Sequence, residues 1–313
     1  MRYVNKKCAT LVLVLLFFKF GAISAQIAKN DTQAISIFEH GKISTGAVEY
    51  GISFSLSGKE AYFARSMDKW GTPHSKSAIF YTLRKNSKWT TPVLAAFSGT
   101  YDDSDPFLTK DGKTLFFISR RPAGDQEVSA DIWKVQKDKK GQWGKPVRLN
   151  DSINSHKDEY SPRTDKWGNL YFASTRSNGY GQGDLYFAKK DKKGLHVPVN
   201  LGNIINSPMG EWNLEINPKG DLLIFEASQR SQNISSYGDL YISFKMNGLW
   251  TKPQHLEELN TSGSDLSPYL AKRGKVLFFS SSKSLESPQV DIFYIPFKPI
   301  YKKYKKRASL PLP

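Results

Sequence analysis

The sequence predicts an all-β protein, a five-bladed β-propeller of four-stranded blades in one domain over residues 26–297, with six blades as the alternative. One segment that combines an acid, a glycine turn and an apolar strand recurs five times along the chain. Aromatic residues make up 13% of the chain, and no long amphipathic helical pattern follows residue 30. The turn glycines are 52 to 56 residues apart, which matches one propeller blade: Gly58, Gly112, Gly168, Gly220 and Gly274.

The first two strands of each unit flank this glycine. A carboxylate stands nine positions before it and marks the start of a short first strand: Glu49, Asp103, Glu159, Glu211 and Asp265. The second strand is a nearly continuous apolar run, which is typical of a strand covered on both faces by neighbouring blades. These runs cover 61–64, 115–118, 170–173, 222–225 and 276–279. A base follows each of them: Arg65, Arg120, Arg176, Arg230 and Lys283.

The outer two strands have weaker patterns. The third opens with an aspartate in four units: Asp131, Asp184, Asp239 and Asp291. The fourth carries Trp-x-x-Pro, beginning at Trp89, Trp143 and Trp250, and proline suits a strand with one unpaired edge. The fifth unit stops after its third strand. Counting back from Glu49 by the usual spacing reaches residues 34–38, so we expect this N-terminal strand to complete the last blade and close the ring.

The two ends of the chain differ in composition from the repeats. Residues 1–25 combine a basic start, an apolar run and small residues, which predicts a cleaved signal peptide and an exported protein, periplasmic or extracellular. Residues 298–313 form a basic tail that we expect to be disordered. The only cysteine, Cys8, lies in the signal, which excludes disulfides and thiol catalysis from the mature chain.

The charge distribution argues against nucleic acid as a partner. The formal net charge of +16 falls to +6 over residues 26–297, because the signal holds four bases and the tail six. The remaining bases lie mainly in loops, whereas a nucleic-acid binder concentrates them on one face. We expect no nucleic-acid binding and, after signal cleavage, no transmembrane segment.

The repeats resemble the WD40-like propeller repeats of the TolB type, which occur in bacterial envelope proteins. The matching residues are Asp103 with Pro106, Glu159 with Pro162, the turn 111–113, Leu-Tyr-Phe-Ala-Ser at 170–174 and Gly-Asp-Leu-Tyr at 183–186. The resemblance covers residues 34–297 and implies a propeller fold without a particular chemistry. This chain departs from the pattern at Ala78, where an aspartate is expected, and at His196, where a tryptophan is expected. It also has five units, whereas TolB has six blades.

The first strand of a propeller blade is its innermost, so the five repeat acids are expected to ring one mouth of the central channel. Each acid could pair with the base of the following loop, as buried acids generally require. The ring could instead hold a structural cation such as calcium, and no other cofactor is expected. A third interpretation is glycoside hydrolysis, because some glycoside hydrolases are five-bladed propellers with three channel-facing carboxylates; Asp103, Glu159 and Glu211 would then be catalytic.

The leading functional prediction is a non-enzymatic binding module of the bacterial envelope, which recognises a protein or a glycan at the acidic mouth. Its binding residues would be Glu49, Asp103, Asp105, Glu159, Glu211, Trp212 and Asp265. A carbohydrate-active enzyme that uses the channel carboxylates is the alternative. Tyr50, Tyr160 and Trp212 each follow a repeat acid and could stack on a ligand or pack between blades. Asp102, Asp105 and the segment 211–215 depart most from the repeat, so a distinctive site is expected there.

Overall fold

The structure, a computed structural model, describes residues 34–66, 68–69, 72, 75–124 and 128–309. The predicted signal, residues 1–25, lies outside the described residues. Five antiparallel sheets follow one another along the chain, and each is one blade of the predicted propeller. No described helix is both long and apolar enough to cross a membrane.

The strands follow the predicted order within each blade. The short strand β1 covers Ser36–Ile37. The first blade contains β2 (Val48–Phe54), β3 (Glu60–Ser66), β4 (Ser77–Lys85), β5 (Lys88–Trp89) and β6 (Val93–Leu94). The second contains β7 (Asp103–Leu108), β8 (Thr114–Ser119), β9 (Asp131–Gln136) and β10 (Val147–Arg148). The third contains β11 (Glu159–Thr164), β12 (Leu170–Ser174), β13 (Asp184–Ala188), β14 (Lys190–Asp191), β15 (Gly194–Leu195) and β16 (Val199–Asn200).

The last two blades continue the same pattern. The fourth contains β17 (Gly210–Ile216), β18 (Leu222–Ser228), β19 (Asp239–Met246), β20 (Leu249–Trp250) and β21 (Gln254–His255). The fifth contains β22 (Asp265–Ala271), β23 (Val276–Ser281) and β24 (Asp291–Pro296), and helix α1 (Phe297–Ala308) follows it. The Trp-x-x-Pro segments precede the outermost strands instead of lying within them, since Trp89 and Trp250 belong to the short hairpin strands β5 and β20.

The N-terminal strand closes the ring, as predicted. In the fifth blade β1 pairs antiparallel with β24, with Ser36 opposite Tyr294 and Ile37 opposite Phe293. The backbone N–H of Phe38 then donates to the carbonyl of Ile292 at 2.7 Å. The first and the last described strands thus belong to one sheet, in which β1 covers the outer edge of β24.

The hydrophobic core consists of layers between successive blades. The second strands contribute most of it, because their side chains pack on both faces of each sheet; Phe63, Phe117, Phe172 and Phe225 are each 0% exposed. An aromatic cluster with Phe38, Phe54 and Phe278 joins the fifth blade to the first.

The basic C-terminal segment is an ordered helix over its first part, so the prediction of a disordered tail is wrong for residues 298–308. Phe297, Ile300 and Tyr304 lie on one face of α1 and are buried against the core of the fourth and fifth blades. The hydroxyl of Tyr304 donates to Glu258 at 2.5 Å, and Arg307 lies 3.2 Å from Glu257. The lysines occupy the remaining faces of the helix, which is why composition alone indicated a solvated segment.

Candidate functional site

The five repeat acids lie inside the fold, each 0% exposed, and do not rim an open channel mouth. Four of them form ion pairs with an arginine of the same blade, which lies near the end of the second strand or two residues after it. Arg65 lies 2.9 Å from Glu49, Arg121 2.7 Å from Asp103, Arg176 3.2 Å from Glu159 and Arg230 2.7 Å from Glu211. Ion pairing with an arginine, one of the interpretations that the sequence left open, therefore accounts for four of the repeat acids. The sequence predicted all five at a channel mouth, whereas the structure buries them.

These ion pairs connect each blade to the loop that precedes it. In the third blade, for example, Ser155 donates its backbone N–H and its hydroxyl to Glu159, and Arg176 donates to the carbonyl of Ile153. Corresponding bonds join Arg65 to Ile43, Arg121 to Phe97 and Arg230 to Ile205. We call this arrangement of acid, arginine and loop carbonyl the blade latch. It satisfies a buried carboxylate and holds the connection between successive blades.

In the second blade the base that pairs with the acid is Arg121, and the predicted Arg120 points elsewhere. Both terminal nitrogens of Arg120 donate to Asp158 in the next blade, at 2.9 and 3.2 Å. Its Nε lies 3.9 Å from Asp102. Arg120, Asp102 and Asp158 are half-buried and form a charged group between the second and third blades.

The fifth blade has no latch arginine. Asp265 accepts hydrogen bonds from the backbone N–H and the hydroxyl of Thr261, at 2.6 and 3.0 Å. Its Oδ1 has no hydrogen-bond partner among the described residues. Lys283, the predicted base, has a φ of 62° and lies 4.4 Å from the ring centre of Phe293. Burial therefore raises the pKa of Asp265 to about 6, with no base to oppose it.

The centre of the propeller is lined by a residue of each innermost strand other than the repeat acid. Every innermost strand has a β-bulge just after the repeat acid. Two residues after the acid stand Gly51, Asp105, Ser161, Asn213 and Ser267, and all but Asn213 have a positive φ. We call these five residues the bulge ring.

Neighbouring members of the bulge ring are in contact around the channel. The backbone N–H of Ser161 donates to Asp105 at 2.9 Å. The hydroxyl of Ser161 accepts from the N–H of Leu214 at 3.0 Å, and Ser267 donates to Asn213 at 3.3 Å. The ring brings one residue of each blade to the axis, and Asp105 is its only acid.

Glu226 is a second acid beside the bulge ring, although it belongs to the second strand of the fourth blade, β18. Asn213 donates to its Oε2 at 2.5 Å, which draws the side chain toward the axis. Gly238 provides the space, since a Cβ atom there would overlap Glu226 Oε1. The corresponding residues of the other second strands are uncharged: Ala64, Ile118, Ala173 and Ser280.

Asp105 and Glu226 form no ion pair with any base among the described residues, although they are only 4% and 8% exposed. Burial raises the pKa of Glu226 to about 7, and the charges of Asp105 and Asp265 add to the rise. Burial also raises the pKa of Asp105, but the charge of Arg163 and the N–H of Ser161 oppose that rise. Burial thus raises the pKa of both carboxyl groups above their ordinary values.

Aromatic side chains lie next to these acids. Tyr160 and Trp212 form an edge-to-face pair with ring centres 6.0 Å apart, and both are half-buried. Tyr160 donates its hydroxyl to Asp158 at 2.8 Å, and Trp212 donates its Nε1–H to Ser228 at 3.2 Å. The charge of Asp105 acts on Tyr160 and on Tyr50, which places both rings near the bulge ring.

Of the predicted binding residues, Asp105 belongs to the bulge ring, the charge of Asp265 acts on Glu226, and Trp212 contacts Tyr160. Sequence reasoning missed Glu226, because the predicted apolar run of the fourth unit ends at residue 225, one position before it. An acid directly after the apolar run, at a position that is uncharged in the other four units, was the available signal. The described residues contain no group of three His, Cys, Asp or Glu side chains that could hold a metal ion.

Comparison with known proteins shows the fold at low sequence identity. The chain is similar to α-L-arabinofuranosidase from Lactobacillus brevis, with a TM-score of 0.51, 12% identity, and 82% of this chain and 92% of that chain covered. It is similar to endo-arabinase from Bacteroides thetaiotaomicron VPI-5482, with a TM-score of 0.50, 12% identity and coverages of 84% and 97%. A thermostable family-43 glycoside hydrolase aligns with a TM-score of 0.50, 11% identity and coverages of 80% and 89%. The sequence matches no protein family and no curated protein.

These neighbours correct two predictions. The resemblance to TolB-type repeats is wrong, because the structural neighbours are glycoside hydrolase propellers. The motifs that suggested it, a glycine turn and an aromatic second strand, are features that any blade needs. The leading prediction of a non-enzymatic envelope module is contradicted as well, since the similar solved structures are glycoside-cleaving enzymes and not binding modules.

Proposed function

We propose that this chain is a carbohydrate-active propeller that hydrolyses glycosidic bonds at the bulge ring. The observation that carries the proposal is the pair Asp105 and Glu226, two buried carboxylates that form no ion pair among the described residues, whose charges interact, and which stand where the repeat is broken. Both positions are uncharged in the other blades, whereas the acid of the blade latch recurs in all five. A catalytic pair is expected to break a structural repeat, because the reaction needs its acids at one place only.

The two acids have the environments that glycoside hydrolysis requires. One carboxyl group must donate a proton to the departing glycosidic oxygen, and one ionised carboxylate must activate water or attack the anomeric carbon. Glu226, with its pKa raised to about 7, is suited to be the proton donor. We assign Asp105 as the ionised partner, because the N–H of Ser161 and the charge of Arg163 both stabilise its carboxylate against the effect of burial. Tyr160 and Trp212 would offer apolar faces to sugar rings.

The substrate class is part of the proposal. Arabinose-containing glycans are the first candidates, because the similar structures include an arabinofuranosidase and an endo-arabinase. The proposed export of the chain, inferred from its N-terminal segment, would bring it to polymeric glycans outside the cytoplasm.

The test is a substrate panel of arabinan, linear arabino- and xylo-oligosaccharides, and aryl α-L-arabinofuranosides with leaving groups of different acidity. We expect Glu226→Gln and Asp105→Asn each to lower kcat/KM about 10²–10⁴-fold on the oligosaccharides. On an aryl glycoside with an acidic leaving group, Glu226→Gln should recover most activity because no proton donor is needed, and Asp105→Asn should not. In the wild type, kcat/KM should fall as the pH rises above about 7, where Glu226 loses its proton.

The control is Glu60→Gln, which removes an acid at the start of β3 that is paired with Lys137 of the second blade and does not belong to the bulge ring. This variant should retain wild-type activity. Wild-type protein that releases no sugar from any member of the panel would contradict the proposal. So would full activity of the Glu226→Gln and Asp105→Asn variants on the oligosaccharides.

A further inference from the structure

The other mouth of the channel contains a cavity of about 340 Å³. The last residues of all five innermost strands line it, so it lies at the opposite end of the channel from the repeat acids. Arg163 lies between the cavity and the bulge ring. Its guanidinium is 3.3 Å from Glu215, which lines the cavity, and its charge also acts on Asp105. A volume of this size is within the range of small-molecule sites.

The cavity has an aromatic floor. Phe54, Phe107 and Tyr269 line it, and the rings of Phe54 and Tyr269 are 5.8 Å apart. The hydroxyl of Tyr269 donates to the carbonyl of Phe54 at 3.1 Å, which turns the polar end of this ring away from a ligand and leaves its apolar face. Such a surface favours an apolar group that would otherwise be exposed to water.

Three bases also line the cavity: Lys110, Lys272 and Arg273. None of them forms an ion pair within the part of the chain that the structure describes. Glu215 is the acid whose charge acts most on Lys110, and Arg163 lies 3.3 Å from it. Asp165, whose charge reaches Lys110, is already engaged by Asn169 at 2.7 Å and by two backbone N–H groups. The cavity therefore carries excess positive charge next to an aromatic surface.

The turn that supplies two of these bases departs from the repeat. The turns of the other blades begin with Ser55, Thr109, Asp165 or Asn217, whose side chains accept backbone N–H groups of their own turn. The fifth begins with Ala271, which cannot do so. Lys272 and Arg273 then adopt φ values of 49° and 58°, a left-handed conformation that is unfavourable for non-glycine residues. A strained turn that presents two bases to a cavity suggests a binding role.

We propose that this cavity, the far-mouth site, binds a small amphiphilic carboxylate. The apolar body would lie on Phe54, Phe107 and Tyr269, and the carboxylate would be held by Lys110, Lys272 and Arg273. The proposal does not depend on glycoside hydrolysis, because none of these residues belongs to the bulge ring.

Isothermal titration of the folded protein with octanoate tests the site, with 1-octanol and glucuronate as the paired probes. We expect octanoate to bind with a Kd of about 1 mM or tighter, and 1-octanol and glucuronate to bind at least about tenfold more weakly. Octanol lacks the anionic group, and glucuronate lacks the apolar chain. Lys110→Glu and Arg273→Glu should each weaken octanoate binding by about tenfold or more. The matched control is Lys113→Glu, an exposed lysine of the same turn as Lys110 that does not line the cavity.

Three outcomes would overturn the proposal: no heat of binding with octanoate, equal affinity for octanoate and 1-octanol, or wild-type affinity in Lys110→Glu. Tight binding of glucuronate without binding of octanoate would show that the site prefers a sugar acid to an amphiphile, and it would also refute the proposal. Lys110 is exposed, so its variant should fold even if Arg273→Glu does not. The same variants should hydrolyse the glycan panel at the wild-type rate. This measurement separates the far-mouth site from the proposed hydrolysis at the bulge ring.

Discussion

A chain that begins at Gly46 is expected to be largely unfolded at ambient temperature. The truncation removes β1, which is the outer strand of the fifth blade, and it removes Phe38 and Ile43 from the core. Loss of each large apolar side chain costs about 2–5 kcal/mol, and typical domains have only about 5–15 kcal/mol of total stability. The blade edge that β1 covers would also be exposed to other chains. Circular dichroism and thermal unfolding of the truncated protein measure this effect.

The single variant Phe38→Ala keeps strand β1 and measures only the contribution of side-chain packing to the stability that the truncation removes. The ring of Phe38 lies 5.2 Å from that of Phe278, 5.7 Å from Phe54 and 6.0 Å from Trp89, so it joins the fifth blade to the first. We expect a loss of about 3–5 kcal/mol in the free energy of unfolding.

Ile35→Ala is the matched control for this variant, because Ile35 belongs to the same segment but is 40% exposed. It should change the stability by no more than about 0.5 kcal/mol. Equal melting temperatures for Phe38→Ala and the wild type would show that ring closure does not depend on this residue.

The second large effect is that neutralising two of the repeat acids should change the stability in opposite directions. Glu211→Gln should lower the stability by about 3 kcal/mol, because it leaves Arg230 inside the latch without its counter-charge. Asp265→Asn should instead raise the stability at pH 8, because Asp265 has no arginine and its buried charge is unfavourable.

The pH dependence follows from the raised pKa of Asp265. Burial raises the pKa of this carboxyl group to about 6, from its ordinary value of 3.8, so the folded state binds the proton more strongly than the unfolded state does. This group therefore lowers the free energy of unfolding as the pH rises from about 4 to about 6, by up to about 3 kcal/mol. Above that range the loss stays constant.

Urea unfolding of the wild type and of Asp265→Asn at a series of pH values measures this effect. The two stability profiles should differ little near pH 4 and should diverge as the pH approaches 7. Parallel profiles, or a destabilised Asp265→Asn variant at pH 8, would contradict the assignment of a buried charge without a base.

The repeat made most of the fold predictable. A blade is specified by local patterns, namely the glycine turn and an apolar second strand, so five copies of the pattern predicted five sheets. Ring closure was predictable as well, because the fifth unit lacks an outer strand and residues 34–38 lie at the usual spacing of an outer strand before Glu49. Helix α1 was missed although Phe297, Ile300 and Tyr304 have helical spacing. Its stability depends on a surface formed by the fourth and fifth blades, which a local pattern does not reveal.

The candidate site was predictable only in part. Asp105 was recognisable as a departure from the repeat, and the structure places it at the axis. The assignment of Arg120 instead of Arg121 was an error of one residue, and near the end of a strand one residue decides which side a base reaches. Glu226 reaches the axis because a bulge, Asn213 and the glycine at 238 together make room for it. None of these conditions can be evaluated along a single strand.

The sequence by itself determined the number of blades, the order of the strands and the contribution of the N-terminal segment to the last blade. These properties depend on short-range periodicity, which the chain carries in every unit. Only the tertiary structure decided that four of the five repeat acids belong to buried ion pairs, and that Asp105 and Glu226 are close enough for their charges to interact. Which carboxylate is neutralised depends on its three-dimensional neighbours, because burial and the distance to a base, and not position in the repeat, control its charge.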